Sequence, residues 1–220
     1  MCPDSGFGVT RNVVTDAEVH SLLTAIAGSE RSRAGVRHLM RNETVARFAR
    51  NQSLLDLATA TLGLPAVPYR ATLFDKSPGA NWLVVWHQDT ALPLRYRREA
   101  PGWGPWSTKA GVLYAHAPAT ALQQVVALRV HLDDSTSRNG PLRVIPGSHE
   151  RGVLSDAAIQ ELVAGQPVHE CTVPRGGVLM MRPLLVHASS KSVVPAPRRV
   201  LHLEYASTLS FEGELTLHVA

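Results

Sequence analysis

The chain has 220 residues and a mass of 23.8 kDa, enough for one domain with a sizeable core, and 45% of its residues are hydrophobic. No apolar run reaches the length of a spanning helix, and the start, Met1-Cys2-Pro3-Asp4, lacks the features of a signal peptide. Two cysteines, Cys2 and Cys171, are too few for a disulfide framework and favour a cytoplasmic protein. The net charge of +4 comes from scattered arginines, which indicates a solvated surface rather than a nucleic-acid partner.

The first 68 residues have mainly helical patterns. Thr15-Asp16-Ala17-Glu18 forms a capping box, and the apolar spacing that follows predicts a helix ending near Gly28. A second helical region is predicted over 43–62, with a break near Asn51. Between the two, Gly35 to Met40 is predicted as a loop or an edge strand.

From Tyr69 the pattern changes to that of β-structure. Tyr69 to Lys76, the turn Ser77-Pro78-Gly79 and the segment Asn81 to Asp89 predict a hairpin. Residues 92–120 are rich in proline, glycine and tryptophan, which predicts a long loop that is either lid-like or disordered. Its tryptophans, Trp103 and Trp106, favour the lid.

The rest of the chain alternates short strands with turns. Gln124 to Asp133 has apolar residues on one face, and Ser155 can cap a short helix. Helices first and then many strands predict a mainly β fold with N-terminal helices, a double-stranded β-helix (jelly roll, cupin-like). We expect a single domain over 1–220, with a helical part to about residue 68, a core over about 69–210 and the insert at about 92–120.

The segment Trp86-His87-Gln88-Asp89 contains a candidate metal site. On a strand, alternate residues share a face, so His87 and Asp89 point the same way and can reach one ion. Two histidines and one carboxylate with open positions are diagnostic of non-haem Fe(II) oxygenases. A second histidine is therefore required.

Among the ten histidines, His187 differs from the others because it ends the apolar run Leu184-Leu185-Val186 and precedes small residues. Arg198 follows it by eleven residues. If 2-oxoglutarate chelates the iron, its far carboxylate needs a cation, and a guanidinium can bind it through two hydrogen bonds. The Ser189 hydroxyl, on the same strand face as His187, can add another bond.

At these residues the chain resembles the phytanoyl-CoA dioxygenase family of Fe(II)/2-oxoglutarate oxygenases. The matching pieces are Trp86-His87-Gln88-Asp89, Asn139-Gly140-Pro141-Leu142, Pro146-Gly147-Ser148-His149, and His187-Ala188-Ser189 ahead of Arg198. They cover roughly residues 70–206. His-x-Asp alone is a weak signal, whereas the ordered set with its spacing is specific.

The resemblance implies that His87, Asp89 and His187 are the iron ligands. It also implies that Arg198 and Ser189 bind the 2-oxoglutarate carboxylate. Arg129 stands where relatives can place an aromatic residue beside the cosubstrate. For the clamp, the spacing favours Arg198, whereas the apolar pattern Leu201, Leu203 and Tyr205 favours its neighbour Arg199; we take Arg198.

The implied reaction uses Fe(II), 2-oxoglutarate and O₂ to hydroxylate an unactivated C–H bond, with release of succinate and CO₂. Related halogenases have a small residue in place of the carboxylate, so Asp89 favours hydroxylation, although desaturation or ring closure use the same three ligands.

The substrate is expected to be a small organic molecule, and the cationic and aromatic candidate pocket residues point to one with an anionic end. They are Arg37, Trp103, Trp106 and His131, together with Arg129. Two alternatives stay open: a nucleic-acid demethylase on the same core, supported only by the pI of about 9.4, and a non-catalytic metal-binding jelly-roll module. The sequence leaves the oligomeric state undetermined.

Overall fold

The structure is a computed structural model that describes residues 3–30, 35–77 and 79–219. Cys2 and the proline of the predicted turn, Pro78, lie outside the described residues. No helix in the described ranges is long and apolar enough to cross a membrane. Cys171 is a buried free thiol.

The described residues form five α-helices, and the predicted ends agree with their capping residues. The Thr15 capping box is formed, the second helix ends at Phe48, and Asn51, near the predicted break, caps the third. Gly63 ends the third helix in the left-handed conformation that glycine adopts without a steric penalty. The helices are α1 (Asp16–Ile26), α2 (Glu43–Phe48), α3 (Gln52–Leu62), α4 (Ala119–Leu122) and α5 (Asp156–Gly165).

Two antiparallel sheets form a jelly roll, as the sequence predicted. The major sheet has six strands in the order β1-β11-β8-β13-β3-β2, and the minor sheet has four in the order β10-β9-β12-β4. A three-stranded sheet, β5-β7-β6, and a hairpin, β14-β15, complete the fold. The strands are β1 (Phe7–Thr10), β2 (Gly35–Val36), β3 (Val67–Lys76), β4 (Val84–His87), β5 (Ala91–Leu94), β6 (Trp106–Lys109), β7 (Val112–His116), β8 (Val125–His131), β9 (Leu142–Val144), β10 (His169–Cys171), β11 (Val178–Met181), β12 (His187–Ser189), β13 (Arg198–Ala206), β14 (Ser210–Phe211) and β15 (Leu215–Thr216).

The largest core lies between the outer face of the major sheet and helices α1 to α3. Leu128, Leu201 and Leu203 of the sheet and Leu22 of α1 belong to it and are almost fully buried. The Tyr205 hydroxyl donates a hydrogen bond of 2.9 Å to the Ala49 carbonyl, which joins the sheet to the end of α2. The opposite face of the major sheet is thereby left to line the interior of the jelly roll.

The predicted hairpin of Tyr69–Lys76 with Asn81–Asp89 is wrong. β3 pairs with β13 and β2 in the major sheet, whereas β4 pairs with β12 in the minor sheet. The connecting segment crosses between the sheets, and Asn81 exchanges two hydrogen bonds of 2.9 and 2.7 Å with the backbone of Ser192. Ser77 and Ala80 form a backbone bridge just before this crossing, so the predicted turn signal leads into a crossing between sheets and not into a hairpin.

The insert is not the irregular loop that its composition predicted. It contains β5, β6 and β7, paired in one antiparallel sheet, and ends in α4. Proline and glycine stand mainly between these strands, and Leu92, Leu94 and Ala115 pack in a core with Tyr69 of β3. In the N-terminal part, β2 confirms the edge strand that was one of the two predictions for Gly35 to Met40, whereas β1, at the other edge of the major sheet, was not predicted.

Candidate metal centre and cosubstrate pocket

Strand pairing in the minor sheet brings the predicted metal ligands together. His87 ends β4 and His187 begins β12, and the two residues are direct partners in the antiparallel register. The Asp89 carboxylate lies between them, 3.7 Å from His87 Nε2 and 3.6 Å from His187 Nε2. The three ligand atoms lie within 4.8 Å of one another. An ion bound at about 2.1 Å holds its ligand atoms about 3 to 4 Å apart, so the site fits a metal with little adjustment.

Both imidazoles have a tautomer suited to binding a metal. Nδ1 of His87 lies 2.8 Å from the Val85 carbonyl, and Nδ1 of His187 lies 2.8 Å from the Leu185 carbonyl. A carbonyl oxygen only accepts hydrogen bonds, so each Nδ1 carries the proton and each Nε2 has a free lone pair. Such hydrogen bonds to the far nitrogen orient metal-binding histidines. The donor set of two nitrogens and one carboxylate suits a ferrous ion with open positions.

The geometry between His87 and Asp89 is fixed by Gln88, which sequence reasoning did not single out. Its side chain is buried and donates hydrogen bonds to the carbonyls of Gly152 (2.9 Å) and Leu184 (2.7 Å). Its carbonyl oxygen accepts a bond of 2.8 Å from the Leu154 N–H. The sequence could have indicated this role. Strand alternation points the Gln88 side chain away from the metal ligands, where a buried polar group needs other hydrogen-bond partners.

The turn Pro146-Gly147-Ser148 orients the other ligand. The Ser148 hydroxyl donates to the Ile145 carbonyl at 2.7 Å and accepts from the Val186 N–H at 2.8 Å. Val186 immediately precedes His187, so this buried hydroxyl sets the position at which β12 begins. This motif, one of the pieces that match the family, therefore supports the backbone next to a candidate metal ligand.

The charges at the site favour an anionic Asp89 and a neutral His187. Burial alone would raise the pKa of Asp89, but His187, His87, His202 and Arg70 outweigh it and hold that pKa below its usual range. Burial lowers the pKa of His187 to about 4, although Asp89 partly opposes the shift. Near neutral pH, the carboxylate is therefore charged and the His187 imidazole is available as a ligand.

A cavity of about 100 Å³ extends from the metal ligands to Arg198. Ser189 stands two residues after His187 on β12, so it faces the same way and lies roughly 6.6 Å further along the strand. Its hydroxyl is 3.4 Å from an Arg198 guanidinium nitrogen and donates to the Gly140 carbonyl at 2.8 Å. Arg198 also donates to the Asn139 carbonyl at 3.3 Å. The cavity thus has a metal-binding end and a cationic end.

Only glycine fits at position 140 beside this cationic end. Gly140 has a φ of +70°, and a Cβ there would lie 2.3 Å from the Ser190 carbonyl oxygen and 3.2 Å from Lys76 Nζ. The Asn139 side chain closes the same turn through bonds to the backbone of Thr136 and Asp134. The Asn139-Gly140 motif therefore forms one wall of the pocket.

Of the two neighbouring arginines, Arg198 faces the cavity and Arg199 does not. Arg198 is 3% exposed, and burial lowers its pKa without bringing it near neutrality. Arg199 points the other way and binds Asp133 through Nε at 2.8 Å and a terminal nitrogen at 2.7 Å. The apolar residues that favoured Arg199 lie on the outer face of the sheet, against the helices.

Lys76 is the pocket residue that the sequence analysis missed. It is 1% exposed, and its Nζ lies 2.6 Å from the Ser189 hydroxyl and also contacts the Ser190 carbonyl. Trp82 and Phe74 line the same cavity, and Lys76 Nζ lies 5.7 Å from the centre of the Trp82 ring. Alternation along β3 could have placed Phe74 and Lys76 on its inner face.

Arg129 lines the cavity, whereas His131 lies behind it. Arg129 is buried, lies 5.3 Å from the Phe74 ring centre, and contacts His202 Nδ1 at 3.2 Å. His131 follows on the same face of β8 and is 2% exposed, but it is not among the residues that line the cavity. Burial, with Arg129 and Arg198, lowers the pKa of His131 well below its usual value.

Three predicted substrate residues are not brought into the metal cavity. Trp103 packs against Phe211 at 5.5 Å, and Trp106 packs in the core of the insert, with Arg97 at 5.7 Å from its ring centre. Arg37 lines a separate groove at the edge of the major sheet. Substrate contacts by these residues stay predictions.

Comparisons with known proteins agree with this site. Residues 4–200 match the sequence model of the family described as phytanoyl-CoA dioxygenase (PhyH). An L-proline trans-4-hydroxylase from Streptomyces griseoviridis is 27% identical in an alignment 192 positions long that covers 74% of this chain. The chain spans 63% of that relative's length.

Solved structures share the fold. AviO1 from Streptomyces viridochromogenes Tue57 superposes with a TM-score of 0.66 and 25% identity over 93% of this chain and 91% of its own. EctD from S. alaskensis, crystallised with 2-oxoglutarate and 5-hydroxyectoine, gives a TM-score of 0.69 and 21% identity over 92% of this chain and 72% of its own. The family match covers most of the chain, and the chain belongs to the phytanoyl-CoA dioxygenase family.

Proposed function

We propose that the protein is an Fe(II)- and 2-oxoglutarate-dependent oxygenase that hydroxylates a C–H bond of a small organic substrate and releases succinate and CO₂. The observation that carries the proposal is one cavity with His87, Asp89 and His187 at one end and Arg198, Lys76 and Ser189 at the other. A chelating dicarboxylate needs both ends, and their separation along β12 matches its length.

His87, Asp89 and His187 would hold the iron through two Nε2 atoms and one carboxylate oxygen. When bound, Fe(II) with 2-oxoglutarate and O₂ supplies the oxidant that converts C–H to C–OH while the cosubstrate loses CO₂. Asp89 supplies a protein ligand where halogenases leave a position for chloride, and it therefore favours hydroxylation. Gln88 and Ser148 hold the ligands in place.

The cationic end would bind the far carboxylate of 2-oxoglutarate. Three cationic side chains line the cavity, those of Lys76, Arg129 and Arg198. Among the described residues that line it, Asp89 is the only one with a carboxylate. A guanidinium and an ammonium separated by a hydroxyl give that carboxylate several donors at once. Phe74 and Trp82 exclude water from the same space, which strengthens these interactions.

The substrate class follows from the size of the site and from a relative. A cavity of about 100 Å³ admits only a small reacting group. The curated relative is named for L-proline, so free amino acids are the first candidates. A nucleic-acid demethylase would need a pocket for a flipped base beside the metal. A non-catalytic module would bind 2-oxoglutarate without turnover.

We also propose that residues 1–220 act as a single oxygenase domain and that the protein is cytoplasmic. The support for the location is cysteine usage, with Cys171 a buried free thiol.

The first test is turnover. Succinate release should be detected with at least one compound in a screen of amino acids, acyl thioesters and natural-product scaffolds, beginning with L-proline. Asp89→Ala should lose most of that hydroxylation because a ligand is removed. Stoichiometric 2-oxoglutarate binding with no succinate from any compound would instead support the non-catalytic module.

Removal of either histidine should abolish metal binding. His87→Ala and His187→Ala are each expected to weaken Fe(II) affinity on the order of 100-fold or more. Loss of a metal ligand should cost more affinity than loss of a hydrogen bond that only orients a ligand. Anaerobic titration calorimetry measures this, and His20→Ala, at an exposed histidine of α1, is the control. Near wild-type affinity in either variant would contradict the assignment.

Arg198 and Arg199 should differ sharply in their effect on 2-oxoglutarate. Truncating one partner of a buried ion pair costs roughly 2–5 kcal/mol, so Arg198→Ala should raise the 2-oxoglutarate Kd roughly 30-fold to several thousandfold. Fe(II) binding should survive. Arg199→Ala, which loses only the Asp133 pair, should leave that Kd unchanged; the reverse pattern would assign the clamp to Arg199.

Lys76 should make 2-oxoglutarate binding depend on pH. Burial, with Arg198, Arg129 and Arg143, lowers the pKa of Lys76 to about 7, so its ammonium is present below pH 7 and lost above it. Affinity should therefore fall between pH 6 and pH 8.5. Lys76→Met should bind more weakly at pH 6 and lose most of this slope, whereas Lys191→Met, at an exposed lysine, should keep it. An unchanged slope in Lys76→Met would contradict the role.

A further inference from the structure

A groove of about 650 Å³, larger than the metal cavity, lies at the edge of the major sheet. Its walls are the end of α1, the edge strand β2, the segment 37–42 and Ala110 at the tip of the β6–β7 hairpin. Its volume is in the range of small-molecule binding sites, which the metal cavity by itself is not.

The lining of this groove is cationic. Arg37, Arg41 and His38 line it. Among the described residues of the lining, Glu30 is the only one with a carboxylate. Arg37 and Arg41 are exposed, and neither forms an ion pair with a described residue. In contrast, Arg97, Arg98 and Arg175 all have carboxylate partners.

His38 is an independent indication of a ligand. It is 8% exposed, and neither of its ring nitrogens has a well-formed hydrogen bond with a described residue, although the Lys109 backbone is near enough to oppose the lowering of its pKa by burial. Its φ of 59° is left-handed, a conformation that costs energy in a residue with a side chain and is concentrated at functional sites. Buried polar atoms are seldom left unsatisfied, so a bound group that accepts a hydrogen bond from the imidazole would explain it.

The groove adjoins the metal cavity through shared elements. β2 pairs with β3, and Gly35 is the register partner of Phe74, whose side chain lines the metal cavity. Next to Ala110, Lys109 Nζ lies 5.2 Å from the centre of the Tyr114 ring. Arg70, which is ion-paired with Glu204, lies 5.6 Å from the same centre. The tip of the β6–β7 hairpin therefore carries a further basic side chain beside the groove.

We propose that this groove is an anion-binding site for a phosphate- or carboxylate-bearing end of the substrate. Arg37, Arg41 and the His38 imidazole bind the anion, while the reacting carbon of the same molecule reaches the metal. The assignment of the anion to the substrate depends on the oxygenase function proposed above, whereas anion binding in the groove does not. The substrate is then larger than the metal cavity alone would admit.

Titration calorimetry with inorganic pyrophosphate and with citrate tests the site without knowledge of the substrate. Arg37→Ala and Arg41→Ala should each weaken binding of the preferred anion about tenfold, the effect of one lost charge-assisted contact. Arg138→Ala removes an exposed arginine elsewhere on the surface and should leave binding unchanged. His38→Asn, in which asparagine tolerates the left-handed backbone, should also weaken it.

Two further measurements separate this site from the metal centre. Arg37→Ala and Arg41→Ala should keep wild-type 2-oxoglutarate affinity, and His87→Ala should keep wild-type pyrophosphate or citrate affinity. Anion binding in the groove can therefore be confirmed even if the oxygenase proposal fails. The oxygenase proposal can likewise be confirmed even if the groove binds no anion.

The preferred probe identifies the chemistry: tighter pyrophosphate binding assigns a phosphate-bearing end, and tighter citrate binding assigns a carboxylate. Failure of the wild-type protein to bind either anion would overturn the proposal, as would equal weakening by Arg138→Ala. A single-stranded oligonucleotide that binds through Arg37 and Arg41 more tightly than both anions would also overturn it and favour the nucleic-acid alternative.

Discussion

Burial of positive charge inside the jelly roll is the constraint on which the rest of the structure depends. Lys76, Arg129 and Arg198 line one small cavity, and Asp89 is the only carboxylate among the described residues lining it. An isolated buried charge costs several kcal/mol, so each cation must find polar or aromatic partners. The Ser189 hydroxyl, backbone carbonyls and aromatic faces supply them. The site is arranged for an anion even before one binds.

The fold tolerates this polar interior because the major sheet is buried on both faces for different reasons. The outer face is apolar and packs against α1 to α3, which supplies the stability. The inner face is free to carry charge. β13 shows both roles in one strand, since Leu201, Leu203 and Tyr205 contact the helical layer while Arg198 and His202 face inward. Deeply buried polar residues on a strand whose other face is apolar therefore indicate function here, rather than a defect of packing.

The minor sheet has a complementary task, which is to hold the metal ligands in register. His87 and His187 face each other because β4 pairs with β12, and neither residue is positioned by its own neighbours alone. Gln88 and Ser148 fix the backbone on either side through buried hydrogen bonds. The cationic groove near β2 adds a third element at the sheet edge. The candidate metal ligands, the cationic pocket and the cationic groove thus lie on two paired sheets and one edge strand.

The sequence by itself determined the helix starts after Thr15 and Asn51 and the shared face of His87 and Asp89, and the spacing to His187 selected Arg198 although the local apolar pattern favoured Arg199. These features depend on capping and on strand alternation, which act within a few residues, or on a motif with fixed spacing. Only the tertiary structure decided that β3 and β4 belong to different sheets, that the insert folds as a sheet, and that Lys76 enters the pocket. Each of these depends on which distant strands pair, and strand pairing joins residues whose separation along the chain leaves no periodic trace in the sequence.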